Sequence, residues 1–350
     1  RGDLLSSPYC YRDSRTHGWR EIATRLGEER LYTVTGIQLM AINTIFQLAA
    51  HDRDELTKAR SLLMLPELLV HTLTGDIRGE RTSAGTTGLV DLDTGDWARD
   101  LVAETGVDPS LLPTIGRAGQ GAGSWRGVPV HLVGGHDTAS AVVAAPRPSA
   151  GRVFISSGSW LLVGVERTHA DTSEAARHAN FSNEPGAFGG YRFLKNIAGL
   201  VLLERCRADW GNPPIAELLG AAAASSVTPL IDPDAAADAV HVEAYVRQQA
   251  SLPMSAKRGD VVRVILSSLA ARVATVVDEL RELLPHPVTE VVMVGGGVRN
   301  PLLSDLITDT TGLPVQLGPA EATAWGNVLA QADALGVPRP QRMREVRPSQ

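Results

Sequence analysis

Two segments of the chain share one layout, which limits the fold more than any other feature of the sequence. In each, an apolar run is followed by glycines with polar residues and then by a helical pattern. The segments are 128–145, VPVHLVGGHDTASAVVAA, and 290–306, EVVMVGGGVRNPLLSDL. A strand that leads through glycines into a helix is typical of an α/β protein. We therefore predict two related α/β domains, with VPVHLV as a buried strand.

Patterns elsewhere in the chain agree with an α/β fold. Helical spacing dominates before VPVHLV, with one helix that begins near Pro66 and ends at Gly75, and another with Asp96 as its N-cap. Two β-rich runs around Ser-Gly-Ser, at 151–166, predict a hairpin. Residues 260–284 have the periodicity of one long amphipathic helix.

The length of the chain favours more than one domain. Its 350 residues are many for a single hydrophobic core. The sequence APRPSAG, at 145–151, is the best candidate for a boundary, because the character of the sequence changes there. We therefore predict one domain at 1–145 and a second at 146–350.

Composition and charge argue against several classes of function. The net charge of −6 and the lack of a basic run argue against nucleic-acid binding. No stretch of about 18 apolar residues predicts a membrane span, and no signal peptide is visible. The two cysteines, Cys10 and Cys206, form neither a disulfide framework nor a metal-ligand spacing, which indicates a reducing cytoplasm. His136 has no second ligand at a useful spacing, so we predict no metal held by protein side chains.

Asp137, in the segment GGHDTAS, has two compatible interpretations. It can be the N-cap of the helix that follows, with Gly134 and Gly135 permitting a tight turn. It can also be a general base at the carboxyl end of a strand, where open α/β sheets bind ligands. Such a base must reach a substrate hydroxyl and accept its proton.

Two other glycine-containing turns are candidate binding elements. In SSGSW, Gly158 and Ser159 form either a plain hairpin turn or a set of phosphate donors, made of turn amides and the Ser159 hydroxyl. In VVMVGGGVRN, the glycines form either a tight strand-to-helix turn or a surface for a flat ring, whose edge Asn300 would reach. The pattern is not GxGxxG, so it does not predict a dinucleotide fold.

Taken in chain order, several motifs resemble the FGGY family of carbohydrate kinases. They include YRDSRTHG (11–18), GGHDTASAVVAAP (134–146), SSGSWLLVG (156–164), NFSNEPGAFGGYRFLKNIAGLVLLE (180–204), VVMVGGGVRN (291–300) and GPAEATAWGN (318–327). The resemblance covers nearly the whole chain. It implies two actin-like, ribonuclease H-like ATPase domains around a cleft, with the sugar bound to the first domain and ATP to the second.

The resemblance also implies roles for individual residues. Asp137 would be the catalytic base, and ATP with Mg²⁺ would be required. The sugar would be contacted by His136, Thr138 and Asn196. The ATP side would comprise Gly158, Ser159, Glu204 and Gly296, with Asn300 added on chemical grounds.

The implied reaction converts ATP and L-rhamnulose into ADP and L-rhamnulose 1-phosphate. Three alternatives stay open: a kinase for another deoxyketose such as L-fuculose, a non-catalytic remnant of such a kinase, and an actin-like ATPase of the chaperone or filament type. The last is disfavoured by the Asp of HDTAS followed by LKN, since that class has no sugar to deprotonate.

The sequence also departs from the family pattern. Family members open with a β-hairpin that carries an Asp and a Gly/Ser-rich phosphate loop, and nothing like it precedes Arg1. We therefore expect the first domain to lack its leading strands and the isolated chain to bind ATP poorly and to turn over slowly or not at all. Ser159 stands where Thr is usual, and Glu204 stands where Gln is usual.

Overall fold

A computed structural model describes residues 3–11, 14–145 and 151–338. The described residues form two compact units: one within 1–140, 166–193 and 326–339, the other within 141–165 and 194–325. The predicted boundary after residue 145 borders on 146–150, which lie outside the described residues, so the exact division at 145/146 stays a prediction.

Helices supply most of the regular structure. Short 3₁₀ turns occur at Ser14–Thr16, Pro109–Leu111 and Gly296–Arg299. The α-helices are α1 (Trp19–Leu26), α2 (Glu28–Thr35), α3 (Thr44–Ala49), α4 (Arg53–Leu56), α5 (Leu65–Thr74), α6 (Arg81–Gly85), α7 (Arg99–Glu104), α8 (Asp137–Val143), α9 (Glu174–His178), α10 (Val201–Asp209), α11 (Ile215–Ala223), α12 (Pro233–Asp238), α13 (Val242–Gln249), α14 (Arg258–Leu283), α15 (Pro301–Thr311) and α16 (Ala322–Ala334).

The strands form one large sheet and two small ones. They are β1 (Arg78–Glu80), β2 (Thr114–Gly116), β3 (Gly121–Trp125), β4 (Val128–His131), β5 (Arg152–Ser157), β6 (Trp160–Arg167), β7 (Ser182–Pro185), β8 (Tyr191–Ala198), β9 (Glu290–Val294) and β10 (Val315–Leu317). The six-stranded sheet has the order β10-β9-β5-β6-β8-β7, while β1 pairs with β2 and β3 with β4. Each of the two small sheets has two strands.

The large sheet combines parallel and antiparallel pairing. β9 lies parallel to both β5 and β10, and β5 runs antiparallel to β6. Four of the five residues of β9, the apolar VVMV of EVVMV, are buried, as expected for a strand with neighbours on both sides. The antiparallel pairing of β5 with β6 confirms the predicted hairpin around Ser-Gly-Ser. Helix α14 confirms the predicted long amphipathic helix.

Local signals set several helix ends as predicted. Pro66 lies in the first turn of α5, where its missing amide hydrogen costs nothing, and Gly75 ends that helix in the left-handed conformation.

The predicted cap at Asp96 is wrong. Helix α7 begins at Arg99 after Ala98, and the Asp96 carboxylate instead accepts a hydrogen bond from the Trp97 amide.

The interpretation of VPVHLV as a buried strand is also wrong. β4 forms an antiparallel hairpin with β3, and within the described residues it has no other strand neighbour. Val128 and Pro129 are exposed. A strand-like run therefore precedes the GGHD turn, but the turn does not continue from a central strand of the large sheet.

Among the described residues, no helix combines the length and the apolar character that a bilayer crossing requires.

Candidate active site

Asp137 is the first residue of α8 and presents its carboxylate to solvent. Its side chain is 77% exposed, while the Thr138 beside it is buried. Oδ1 of Asp137 accepts hydrogen bonds from the Thr138 amide (2.6 Å) and the Thr138 hydroxyl (3.2 Å). Asp137 therefore lies inside the first turn of α8 rather than at the N-cap position before it, and its bond to the amide of the next residue is not the bond to the second or third helical amide that an N-cap makes, so the capping interpretation is wrong. The carboxylate stays accessible, as a base must be.

His136 lies between Asp137 and a buried ion pair. Its Nε2 is 3.8 Å from Asp137 Oδ1, and its Nδ1 is 3.2 Å from Nη1 of Arg192 and 3.5 Å from Oε2 of Glu184. The pKa of His136 is lowered, chiefly by burial and also by the positive charge of Arg192, against the opposing effect of Glu184. The lowered pKa favours the neutral imidazole near pH 7.

A buried carboxylate fixes the turn that precedes His136. Oε2 of Glu80 accepts hydrogen bonds from the Gly135 amide and the Thr82 amide, each at 2.9 Å. The Thr82 hydroxyl in turn accepts a hydrogen bond from the His136 amide at 3.1 Å. Glu80 is also the N-cap of α6. One side chain therefore joins the start of α6 to the backbone that carries His136 and Asp137.

A second buried carboxyl group, that of Glu67 in α5, lies beside Glu80. The pKa of Glu67 is raised to about 7, chiefly by burial, with a smaller rise from the charge of Glu80 and an opposing effect of the Ser83 hydroxyl. A Cβ added to Gly135 would lie 2.9 Å from Oε1 of Glu67 and would overlap the Ser83 hydroxyl. The turn can pack this closely on the two carboxyl groups only because residue 135 has no side chain.

In the second unit, the turn at Gly158 and Ser159 is packed on the start of α10. The Leu200 amide donates to the Gly158 carbonyl (3.0 Å) and the Val201 amide to the Ser159 carbonyl (3.2 Å). Both turn residues are exposed. The Gly158 amide already donates to the Trp160 carbonyl, so the Ser159 hydroxyl and amide are the turn's better candidates for phosphate donors. Glu204 lies one turn into α10, with its side chain 60% exposed.

The glycine loop after β9 lies against the end of β5. Cβ atoms added to Gly295 or Gly297 would collide with Ser157, whereas one added to Gly296 would meet nothing within 4 Å. Gly296 is exposed and therefore offers an open backbone surface. The structure thus brings the two glycine-containing turns together through the parallel pairing of β5 and β9.

Two other predicted residues have structural surroundings of their own. Asn300 is buried and caps α15, with its Oδ1 accepting from the Leu303 amide at 3.1 Å. Its oxygen is therefore engaged inside the protein. Asn196 is half-buried on β8, in the second unit.

Sequence reasoning missed four residues that hold the Asp137 turn, namely Glu67, Glu80, Glu184 and Arg192. Arg192 and Glu184 are only 1% and 4% exposed. A buried charge is costly unless it is paired, but the sequence alone does not say which Glu or Arg is buried. For Arg192 and Glu184, the sequence offered one indication of a role, namely that they lie in the motifs GGYRFLKN and NFSNEP, which carry the family resemblance.

Comparison with known proteins gives matches over almost the whole chain. Residues 3–144 match the sequence model for the N-terminal domain of the FGGY family of carbohydrate kinases. Residues 153–335 match the model for the C-terminal domain of the same family. A rhamnulokinase of Bacteroides thetaiotaomicron is 37% identical over an alignment of 357 positions, gaps included, that covers 96% of this chain and 73% of that protein. A rhamnulokinase of Yersinia pestis (strain Pestoides F) is 36% identical over 352 residues, covering 96% and 72%.

Solved structures show the same fold at low sequence identity. Ligand-bound xylulose kinase from Lactobacillus acidophilus aligns with a TM-score of 0.75 and 15% identity, over 97% of this chain and 73% of that one. Plasmodium falciparum glycerol kinase with ADP aligns with a TM-score of 0.75 and 14% identity, over 98% and 74%. These structures confirm the predicted α/β class with two actin-like ATPase domains.

Proposed function

Because the chain belongs to the FGGY family of carbohydrate kinases, we propose that it transfers the terminal phosphoryl group of ATP to the 1-hydroxyl of L-rhamnulose. The chain is a carbohydrate kinase, and kinases of this family use ATP as phosphoryl donor. The choice of sugar rests on relatives at 36–37% identity that are named rhamnulokinases. The products would be ADP and L-rhamnulose 1-phosphate.

The observation that carries this proposal is the exposed carboxylate of Asp137. Phosphoryl transfer needs a residue that orients the attacking hydroxyl and accepts its proton. Asp137 is accessible to a substrate, and Thr138 holds one of its oxygens with two hydrogen bonds. Because its hydroxyl is directed to Asp137, Thr138 is proposed to position the base as well as to border the sugar. Asn196 is proposed as a further sugar contact.

The proposed step forms one bond and breaks one. The 1-hydroxyl oxygen of the sugar attacks the γ-phosphorus of ATP, and the bond from that phosphorus to the oxygen shared with the β-phosphate breaks. The hydroxyl proton passes to the Asp137 carboxylate, and the bond's electron pair leaves with ADP. The protein's contribution is to orient the hydroxyl and to accept this proton.

On the ATP side, we propose that the Ser159 hydroxyl donates to a phosphate and that the open backbone at Gly296 lies against the adenosine. Gly158 would shape the phosphate turn, Glu204 would border it, and Asn300 would hold the loop that carries Gly296. Among the residues that the structure describes, no group of three His, Cys, Asp or Glu could hold a metal. We therefore propose that Mg²⁺ enters with ATP as part of the substrate, since Mg²⁺ favours phosphate and water ligands with few carboxylates.

The experiment is an assay of sugar-dependent ADP release with a panel of L-rhamnulose, L-fuculose, D-xylulose and glycerol, and its absolute rates also test the expectation from the sequence that this chain turns over slowly or not at all. The proposal expects L-rhamnulose to give the highest kcat/KM and the product to carry phosphate on C1. A higher kcat/KM with L-fuculose would change the sugar and keep the chemistry. ADP release that is independent of every sugar, or phosphate on another carbon, would overturn the proposal.

A further inference from the structure

Arg192 is fixed inside the protein with one N–H aimed at His136. Its Nε and Nη2 donate to the Pro185 carbonyl at 3.3 and 3.2 Å, and its Nη1 lies 3.2 Å from Nδ1 of His136 in hydrogen-bonding geometry. Nη2 is also 3.0 Å from Oε2 of Glu184, which balances the charge without an aligned hydrogen bond. The guanidinium therefore cannot turn away from His136 without losing these contacts.

This contact determines where the proton of the neutral imidazole resides. A guanidinium has five N–H donors and no acceptor, so the bond from Nη1 needs a lone pair on Nδ1. A neutral imidazole carries one proton, which must then be on Nε2. Glu184 Oε2 could accept a proton from Nδ1, but it is more distant, at 3.5 Å, and that proton would point at the N–H of Arg192.

We propose that Arg192 is a positioning residue that holds His136 as the Nε2–H tautomer, so that His136 donates a hydrogen bond to the sugar beside the Asp137 base. This role rests on the proposed function. Nε2 is on the side of the ring that faces the Asp137 carboxylate, 3.8 Å from Oδ1. The sugar oxygen that contacts His136 would then be an acceptor, while the hydroxyl that contacts Asp137 is a donor.

The distinction matters because the two tautomers select different sugar groups. An Nε2–H donor can bind the carbonyl oxygen of a ketose as well as a hydroxyl oxygen. The other tautomer would present a lone pair at Nε2 and could bind only a hydroxyl. In L-rhamnulose, the hydroxyl on C1 is next to the carbonyl on C2. A base that accepts the proton of this hydroxyl and a donor that binds the carbonyl oxygen, lying side by side, would match these two groups.

The charged groups that face His136 are Glu184 of β7, Arg192 of β8 and Asp137 of α8. Glu184 and Asp137 favour the protonated ring, whereas burial and Arg192 oppose it. Removing Arg192 alone would leave Glu184 buried without its partner, which is a strongly destabilising change. The informative variant therefore replaces both, as Arg192→Met with Glu184→Gln, so that no buried Glu184 carboxylate is left without its partner.

The first measurement uses the unaltered protein, labelled with ¹⁵N in its imidazole rings, with the His136 signals assigned by their absence in His136→Gln. The proposal expects Nδ1 to be unprotonated and Nε2 to be protonated at pH 7, and L-rhamnulose to shift the Nε2 signal more than the Nδ1 signal. An Nδ1–H tautomer, or a doubly protonated ring at pH 7, would overturn the proposal. The tautomer of the sugar-free protein is read without turnover and without substrate, so this part of the measurement fails or succeeds independently of the proposed function.

The second measurement compares the double variant with Arg167→Gln, which removes another ion pair of the same unit, 2.9 Å from Asp171. In the double variant, the proposal expects mixed tautomers and a KM for the sugar raised about tenfold, the worth of one hydrogen bond, with an unchanged KM for ATP. The control should keep both the tautomer and the KM values. A double variant that retains the Nε2–H tautomer and the original KM for the sugar would show that Arg192 has no such role.

Discussion

Gly326 of α16 lies directly against the backbone carbonyl of Ser140 in α8. A Cβ at position 326 would overlap the carbonyl oxygen and would lie 2.9 Å from the Ser140 Cα. Ser140 follows Asp137 by less than one helical turn, and its hydroxyl donates to the Gly134 carbonyl at 2.7 Å. The position of the proposed base therefore depends on a glycine nearly 190 residues further along the chain.

We expect Gly326→Ala to destabilise the protein by roughly 1–3 kcal/mol, because backbone atoms must move apart to admit the methyl group. Thermal unfolding measures the loss. The matched control is Gly220→Ala in α11, where nothing lies within 4 Å and alanine should instead stabilise by about 0.5–1 kcal/mol. Equal melting temperatures for the two variants would contradict the close packing of α16 on α8.

Asp137→Asn should lower kcat by about 10²–10⁴-fold, since the amide cannot accept the hydroxyl proton. ATP binding, measured by calorimetry, should stay unchanged. Asp278→Asn is the control, because Asp278 is another exposed aspartate and its contact is a surface pair with Arg281. Near-normal kcat in Asp137→Asn would remove Asp137 from the proposed role.

Ser159→Ala should raise the KM for ATP more than the KM for the sugar, because the hydroxyl is proposed to donate to a phosphate. Ser124→Ala, at an exposed serine of β3, serves as the control and should change neither value. Initial rates at varied ATP and varied sugar provide the comparison. An equal rise in both KM values would argue against a phosphate contact.

Gly296→Ala and Gly297→Ala should separate binding from stability. The methyl group at 296 enters open space, so the fold should persist while the KM for ATP rises. The methyl group at 297 would collide with Ser157, so the melting temperature should fall. Melting curves and ATP titrations of both proteins measure this. A destabilised Gly296→Ala with an unchanged KM for ATP would refute the assignment.

Glu67→Gln should change how stability depends on pH. The folded pKa of Glu67, about 7, lies above the ordinary value of 4.5, so the folded state binds more protons than the unfolded chain between these pH values. This stabilising contribution is complete below about pH 4.5 and is lost as the pH rises through 7. The amide carries no charge, so the variant should gain stability relative to the original protein, by up to about 3 kcal/mol at pH 8.

Urea unfolding at pH 5 and pH 8 tests this expectation. Glu80 is present in both proteins, but it interacts with Glu67, so the difference between the two proteins reports the coupled titration of this pair of carboxyl groups. The control is Glu104→Gln, at an exposed carboxylate whose pKa is lowered by its hydrogen bond with Arg30. The contribution of that carboxylate is already complete above pH 4.5, so the effect of the control substitution should be the same at pH 5 and pH 8. A stability difference for Glu67→Gln that does not vary with pH would show that Glu67 is ionised throughout.

The sequence by itself determined the family, the α/β class and the features that depend on neighbouring residues. The helix that starts at Asp137, the left-handed stop at Gly75 and the hairpin turn at Gly158 were predictable, because their hydrogen bonds join residues a few positions apart. The sequence also indicated the turn after β9, since its glycines are consecutive.

Only the tertiary structure decided what surrounds the proposed base. Arg192 reaches His136 across 56 residues, and Glu80 reaches Gly135 across 55. It also decided that β4 is an exposed hairpin strand, which the apolar letters of VPVHLV did not reveal. The physical reason is that burial and pairing depend on which distant segments pack together. A buried carboxylate or a glycine in close contact acquires its role only from a partner that local periodicity does not encode.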